Sequence, residues 1–375
     1  MADTTKKNPL VRISKRNDIK GWKAMGIRAI AFVIALLIVG VVSTVTVGGD
    51  IIKIYTTLFI GNLMTARTIW VLLESISFLL LVSLAVTPAF KMRFWNIGAE
   101  GQALMGVLGS AMIVQYFGGK MPEPALLVVM FATSVVFAAV WAVIPAIFKA
   151  YFNTNETLFT LMMNYVAIQL VKFFIQAWSG KNNTGSLNFK YGTLPKIGNN
   201  EYILGIIIVA VITLLVTIYL KRSKHGYELS VVGESENTAR YIGINVKAVI
   251  IRTMILSGVL CGVLGFVLFG KSANLYDTAV GGRGFTAILV SWLAKFNPIY
   301  MIGTSSLVAF LQSGAKRAGD LYSAGKFFTD LTVGIFFFCI IASEFFINYT
   351  VKFRQKAQKV VAEVAAEQKE EEVNE

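Results

Sequence analysis

Long apolar runs broken by short polar intervals organise this chain. A run of about 20 apolar residues crosses a bilayer as a helix. Such runs lie at 29–47, 69–90, 125–148, 158–178, 202–220, 248–269 and 327–349. A further span ends near Phe117, and another covers 299–313. The stretch 285–294 is too short to cross straight at about 1.5 Å per residue and reads as a short or broken helix. The pattern predicts an all-α, polytopic membrane protein of about ten spans. The Gly/Asn/Ser-rich interval 179–200 forms a seam between two related halves.

The polar intervals set the orientation. Lys221, Arg222 and Lys224 open the one long charged interval in the middle of the chain, and they place it in the cytoplasm. Lys6, Lys7, Arg12, Lys15, Arg16, Lys20, Lys23 and Arg28 do the same for the N-terminus. Both ends are predicted inside. Intervals 48–67, 118–124, 271–284 and 314–326 fall outside, although Lys316, Arg317 and Lys326 break the charge rule in the last of them. The expected domains are a basic segment at 1–28, a transmembrane body at 29–350 with a cytoplasmic loop at 221–249, and a charged tail at 351–375. Within the loop, Ser235 can cap a short helix that Gly243 stops in a left-handed conformation. Such a helix suits a docking surface for a soluble partner; a solvated connector is the plainer reading.

Composition narrows the classes. Of 375 residues, 55% are hydrophobic and 15% charged, with mean hydropathy +0.65. Soluble domains carry about 25% charged residues. The net charge of +14 does not point to nucleic acid, because the basic residues crowd the N-terminus and central loop, where they meet anionic lipid. Cys261 and Cys339 lie in apolar runs and read as core residues. His225 is the only histidine, which excludes histidine-based metal sites and triads; it reads as a surface residue. The first apolar segment starts too late and runs too long for a cleavable signal.

Several polar positions stand out against this background. Residues 265–272, GFVLFGKS, match the pattern G-x-x-x-x-G-K-[ST]. A phosphate-cradling loop must follow a strand and open a helix, and this stretch does neither. Gly258, Gly262 and Gly265 form a small-residue face for close helix contact. Glu74 lies inside the second span, either as a functional acid or as a side chain reaching water. Asn164 and Gln169 can bond a solute or a neighbouring helix. Asn96, Glu100 and Gln102 alternate with Gly98 and Gly101. Such an interrupted polar segment persists in a membrane only where protein or water satisfies it. Residues 281–285, GGRGF, have the same character, and two interrupted helices in corresponding halves suggest a central path.

These segments resemble the permease subunits of ABC importers in the branched-chain amino acid, sugar and nucleoside group, most of all the nucleoside type. The likeness runs from about residue 25 onward, with a span number that fits. Residues 94–102 resemble the family signature F-N-I-G-A-E-G-Q, with Trp95 inserted. Residues 156–165, ETLFTLMMNY, are similar to its E-T-[IL]-x-[TS]-x-M-x-N-Y segment. Residues 232–245 look like its coupling loop, and 284–298 resemble its G-F-x-A-I-A…N-P segment. Val290, Ser291 and Ala294 depart from the pattern there.

The resemblance implies a permease that makes and breaks no bond, with no catalytic residue, metal or cofactor of its own. ATP and magnesium would sit on partner ATPase subunits. Further partners would be a second permease, identical or homologous, and an extracellular substrate-binding lipoprotein. It assigns Glu234, Ser235, Ala239, Arg240, Tyr241 and Gly243 to coupling with the ATPase. It assigns Asn96, Glu100, Gln102, Asn164 and Phe285 to the solute path, where an aromatic such as Phe285 or Trp95 can stack on a nucleobase. A sugar or branched-chain amino acid is the alternative cargo. An ion-coupled transporter or channel would need an acid or base relay, and the spans offer few ionisable residues beyond Glu74, Lys172, Asp330 and Glu344. A membrane enzyme would need a nucleophile–base or metal constellation.

Overall fold

The computed structural model describes residues 11–16, 19, 21–180, 185–198 and 200–353. Lys6, Lys7, Lys20 and the acidic end of the tail lie outside the described residues. The chain forms two compact units, one of residues 58–314 and one of residues 1–57 with 315–375.

The larger unit is built around α10 (Val246–Ser272), which is buried along most of its length. It packs on α3 (Ala66–Lys91), α4 (Ala99–Phe117) and α5 (Glu123–Phe152). Glycine makes this possible, because apolar lipid gives helices no hydrophobic reason to associate and close backbone contact must do so instead. A Cβ on Gly258 would fall 2.6 Å from Ala139 Cα, and one on Gly262 2.6 Å from Val135 Cα, both on α5. A Cβ on Gly265 would fall 2.6 Å from Val107 N on α4. Ser134 Oγ lies 2.8 Å from Gly106 O and 2.7 Å from Gly262 O, so one hydroxyl serves three helices. The small-residue face is thus a packing face.

Around this core stand α6 (Glu156–Ser179), capped by Asn155 Oδ1 on Leu158 N at 3.1 Å, and α7 (Ile203–Arg222), which lies on α3. The interval 221–245 forms an elbow of two helices, α8 (Lys224–Glu234) and α9 (Glu236–Tyr241). The half-length α11 (Arg283–Leu293) follows a two-stranded ribbon of β2 (Ser186–Asn188) against β3 (Asn274–Tyr276). In the smaller unit, α1 (Gly21–Val47) packs on α13 (Gly325–Asn348), with Arg28 and Glu344 paired at 2.5 Å. Strands β1 (Val11–Lys15) and β4 (Tyr349–Phe353) pair antiparallel, Ile13 opposite Val351. The unit boundaries fall inside α2 (Ile51–Phe59) and α12 (Pro298–Leu321).

Among the described residues seven helices are long and apolar enough to cross a membrane: α1, α3, α5, α6, α7, α10 and α13. Their bounds follow the predicted runs within a few residues, except that α1 begins at Gly21, eight residues before its run. Three expectations need correction. The interval 314–326 is not a loop, because α12 continues to Leu321. Gly314 serves close approach to the Leu58 carbonyl, while Ala315 and Ala318 carry the helix on, fully buried. The interval 48–67 contains α2, which starts where Asp50 Oδ1 accepts from Ile52 N at 3.0 Å. The strand pairs add short β segments to a helical fold.

The α10 packing yields a stability prediction. Gly262→Leu forces α10 off α5 and should cost about 1–3 kcal/mol or more, as overpacking does. It should lower the melting temperature of the detergent-solubilised protein, whereas Gly303→Ala, where a Cβ meets nothing within 4 Å, should not. Equal melting temperatures for the two variants would mean that the helices do not meet at Gly262.

Candidate functional site

The segment before α4 is the most densely bonded part of the larger unit. Asn96 is fully buried. Its Nδ2 donates to Ser257 Oγ on α10 at 3.0 Å, Ser257 Oγ donates to Gln102 Oε1 at 3.2 Å, and Gln102 Nε2 donates back to Asn96 Oδ1 at 3.2 Å. These three side chains close a ring. Gly98 opens α4 and has no side chain to cap it. The cap comes from elsewhere: Asn96 Oδ1 accepts from Gly98 N at 3.0 Å, and Asn164 Oδ1 on α6 accepts from Gly101 N at 2.8 Å. Asn164 Nδ2 donates to Ile97 O at 2.9 Å, and Thr160 Oγ1 accepts from Ile97 N at 3.2 Å.

The start of α11 repeats this solution. Gly282 is its N-cap, in the left-handed region at φ 80°, and again provides no side chain. Glu100 on α4 supplies both acceptors. Oε1 takes the Gly282 N–H at 2.7 Å and Oε2 the Gly284 N–H at 2.7 Å. The structure therefore brings Asn96, Glu100, Gln102 and Asn164 into one buried cluster. Phe285 does not join it; it stands 44% exposed on α11. Trp95 and Trp292, both partly exposed, sit with ring centroids 5.8 Å apart, beside the Phe90–Phe296 stack at 6.1 Å. Trp292 escaped the sequence reading, because its neighbour is set by the fold. Gln169 lies on the exposed face of α6.

The elbow has a fixed root and a free tip. Ser235 caps α9, its Oγ accepting from Thr238 N at 3.2 Å. Ala239 is fully buried, while Tyr241 at the end of α9 is 93% exposed. Gly243 closes the helix at φ +84°, and Gly243 N and Ile244 N donate to Arg240 O at 3.1 Å and Ala239 O at 2.9 Å. Arg240 pairs with Glu236 at 3.1 Å, and Glu234 is exposed at the end of α8. A cavity of about 750 Å³ lies between α9 and the C-terminal end of α5, lined in part by Lys149, Arg240 and Lys247.

The helix α8 and its contacts were not read from sequence. Ser223 Oγ caps it on Gly226 N at 2.9 Å. Gly233 rests against the Lys91 carbonyl at the end of α3, with no room for a Cβ. His225 is not a free surface residue. Its Nδ1 lies 2.8 Å from Tyr219 Oη on α7 and its Nε2 3.3 Å from Thr253 Oγ1 on α10.

The remaining motif residues are accounted for. Residues 265–272 are helical throughout, so their backbone amides serve the helix ladder and cradle no phosphate. Lys271 forms an ion pair with Glu74 on α3, so this buried acid meets a lysine rather than open water. Lys172 pairs with Asp277 at 3.4 Å.

The fold defines a helical, multi-pass membrane protein whose polar residues serve its interior. Its sequence carries the class further. Residues 68–343 match the family described as "Branched-chain amino acid transport system / permease component", and the chain belongs to this family. It is 28% identical over 358 residues to the nucleoside ABC transporter permease protein NupB of Lactococcus lactis subsp. cremoris, covering 91% of this chain and 96% of that one. The guanosine ABC transporter permease protein NupP of Bacillus subtilis is 27% identical, with 73% and 79% covered. The glucose ABC transporter permease protein of Haloferax volcanii is 26% identical, with 92% and 94% covered.

Two predictions follow from the contacts of Glu74 and His225. Lys271→Met leaves a buried, unpaired carboxylate and should cost toward the lower end of the roughly 3–5 kcal/mol typical of broken buried pairs, since Lys271 is partly exposed. The double variant Glu74→Gln/Lys271→Met should regain most of that loss in melting temperature. A double variant no more stable than the single one would refute the pairing. Burial holds the His225 imidazole below its usual range, with Arg252 acting in the same direction and the Val249 backbone and Glu228 opposing. The folded state then binds the proton less well than the unfolded state. The associated stability is present above the ordinary imidazole value of about 6.5 and is lost as pH falls below it and through the lowered folded value. Amide exchange in α8, corrected for intrinsic rate, should rise between about pH 7.5 and 5.5 in the wild type and stay flat in His225→Asn.

Proposed function

We propose that this chain is the membrane-spanning permease subunit of an ATP-binding cassette importer that carries a nucleoside or a related purine compound. The observation that carries the reading is the elbow. A force-bearing docking helix needs an exposed contact surface on a root that cannot slip. Tyr241 provides the first, and the buried Ala239, with α8 seated on the end of α3, provides the second.

In this reading the transmembrane body at 29–350 makes about ten crossings with both ends in the cytoplasm. The coupling loop is 221–249. Glu234, Ser235, Ala239, Arg240, Tyr241 and Gly243 receive the ATPase subunits. ATP and magnesium bind on those subunits and not on this chain. Their closure pushes α9, and α8 passes the movement to α3 and α10 as a rigid-body displacement. A second permease subunit completes the path, and an extracellular binding lipoprotein delivers the solute. Asn96, Glu100, Gln102 and Asn164 frame the path by fixing the two interrupted helices, and Phe285, exposed on α11 away from that cluster, is the path residue with the least support.

The names of two relatives support a nucleoside, and that of the Haloferax volcanii relative favours a sugar as the second reading. Co-purification tests the class: the chain should bring down an ATPase whose hydrolysis rises with substrate. Gly243→Asp, which places a side chain at φ +84°, should cut ATP-driven uptake at least about tenfold while leaving the protein in the membrane. Undiminished accumulation of solute against its gradient in a well-expressed Gly243→Asp variant would sink the proposal.

A further inference from the structure

The cavity between α9 and the C-terminal end of α5 has no part in the buried cluster around Asn96. Its volume of about 750 Å³ falls within the range of sites that hold small organic molecules. Three helices supply its charge: Lys149 from α5, Arg240 from α9 and Lys247 from the first turn of α10, against one acid among the lining residues, Glu236. The three cations are not equivalent. Arg240 is paired with Glu236 at 3.1 Å, and Lys149 with Glu156 at 2.9 Å. Lys247 stands over the Tyr151 ring, its Nζ 4.6 Å from the ring centre. A ring face steadies an ammonium without cancelling its charge. Lys247 therefore keeps its full charge at the cavity wall.

The surroundings point to the class of anion. Lys149 and Tyr151 lie in the last turn of α5, a helix long and apolar enough to cross the membrane. The cavity thus sits at the depth where a span meets the membrane surface. Phe148 and Phe152 are exposed one turn apart, with ring centroids 5.7 Å from each other, and Phe159 of α6 adds a ring 4.9 Å from Phe148. Aromatic rings at this depth mark the boundary between head groups and acyl chains. The same end of the bundle carries exposed Lys221, Arg222 and Lys224, where α7 runs into the elbow, and such a surface gathers anionic lipid.

We propose that the cavity binds the phosphate of an anionic phospholipid, with the head group against Lys247, Arg240 and Lys149 and the acyl chains along Phe148 and Phe152. A lipid uses both features, the cations and the apolar flank. A free phosphate uses the cations alone, and an acidic side chain of a soluble partner has no use for the rings. A zwitterionic lipid brings its own cation to a cavity that already holds an excess of them. The inference needs the chain's place in a membrane and not the importer reading. Since Arg240 belongs to α9, and Lys149 and Lys247 to α5 and α10, one head group bridges the elbow to two helices of the body. Occupancy anchors α9.

The test uses the full chain, purified in detergent for native mass spectrometry and placed in nanodiscs for amide exchange. The wild type should retain phosphatidylglycerol more tightly than phosphatidylcholine. Lys247→Gln/Arg240→Gln should weaken phosphatidylglycerol binding at least about tenfold, because charge-assisted bonds to the phosphate are lost. Lys247→Arg should keep it. Lys221→Gln/Arg222→Gln, at the same membrane surface but outside the cavity, should leave the tight lipid in place. Nanodiscs of phosphatidylcholine with phosphatidylglycerol, compared with phosphatidylcholine alone, should slow amide exchange across residues 236–243 in the wild type and not in the double glutamine variant. Equal affinity for the two lipids overturns the inference, and so does unchanged affinity in Lys247→Gln/Arg240→Gln. Inorganic phosphate that protects α9 as well as phosphatidylglycerol does also overturns it, because the site would then serve a free anion. A double variant that retains the lipid but no longer co-purifies with an ATPase assigns the cavity to an acidic partner and defeats the inference. Should the double variant fail to fold, Tyr151→Leu decides: it removes the ring that steadies Lys247 and should weaken phosphatidylglycerol binding, and unchanged binding defeats the inference.

Discussion

A peptide group inside hydrocarbon has no water to bond, so every break in a membrane helix must be mended by the protein. This chain breaks twice in its larger unit, before α4 and before α11. At both places the N-cap residue is a glycine with no side chain to cap the helix it opens. Both ends are capped from a different helix, Asn164 of α6 serving α4 and Glu100 of α4 serving α11. The cap is thereby also a tertiary contact. Loss of either would expose donors in a medium where each costs several kcal/mol.

Close packing supplies the second half of the stability. Lipid tails are as apolar as leucine, so burying leucine against leucine gains little in a membrane. The core instead rests on backbone meeting backbone along α10. The Ser134 hydroxyl sits where α4, α5 and α10 converge and serves carbonyls on two of them. Polar side chains in this unit are bound into the architecture, and that is where the Asn96–Ser257–Gln102 ring belongs.

Much of this was legible from the residues alone. Apolar runs marked the long helices, since lipid enforces length and composition together. The caps at Asn155 and Ser235 and the stop at Gly243 were legible because capping is local chemistry. What stayed hidden depends on partners distant in sequence. The continuation of α12 past residue 313 was hidden because its apolar run ends there, and the close approach of Gly314 to the Leu58 carbonyl exists only in the folded chain. His225 looked superficial because Tyr219 and Thr253 reach it only in the folded chain. Asn96, Glu100 and Gln102 were marked as unusual for a membrane, but their bonding to Ser257 and to the start of α11 required the fold. The Asp50 cap was a local signal that went unread, obscured by the mixed polarity around it.

The seat of Gly233 on the Lys91 carbonyl has one more consequence. It divides the elbow into a pivot that tolerates no added atom and a fingertip, Tyr241, that touches almost nothing in its own chain. In the proposed importer, substitutions at the fingertip would reshape what the elbow grips while the leverage on the membrane helices stays the same. Recognition of a different motor and transmission of its stroke would then be free to diverge separately.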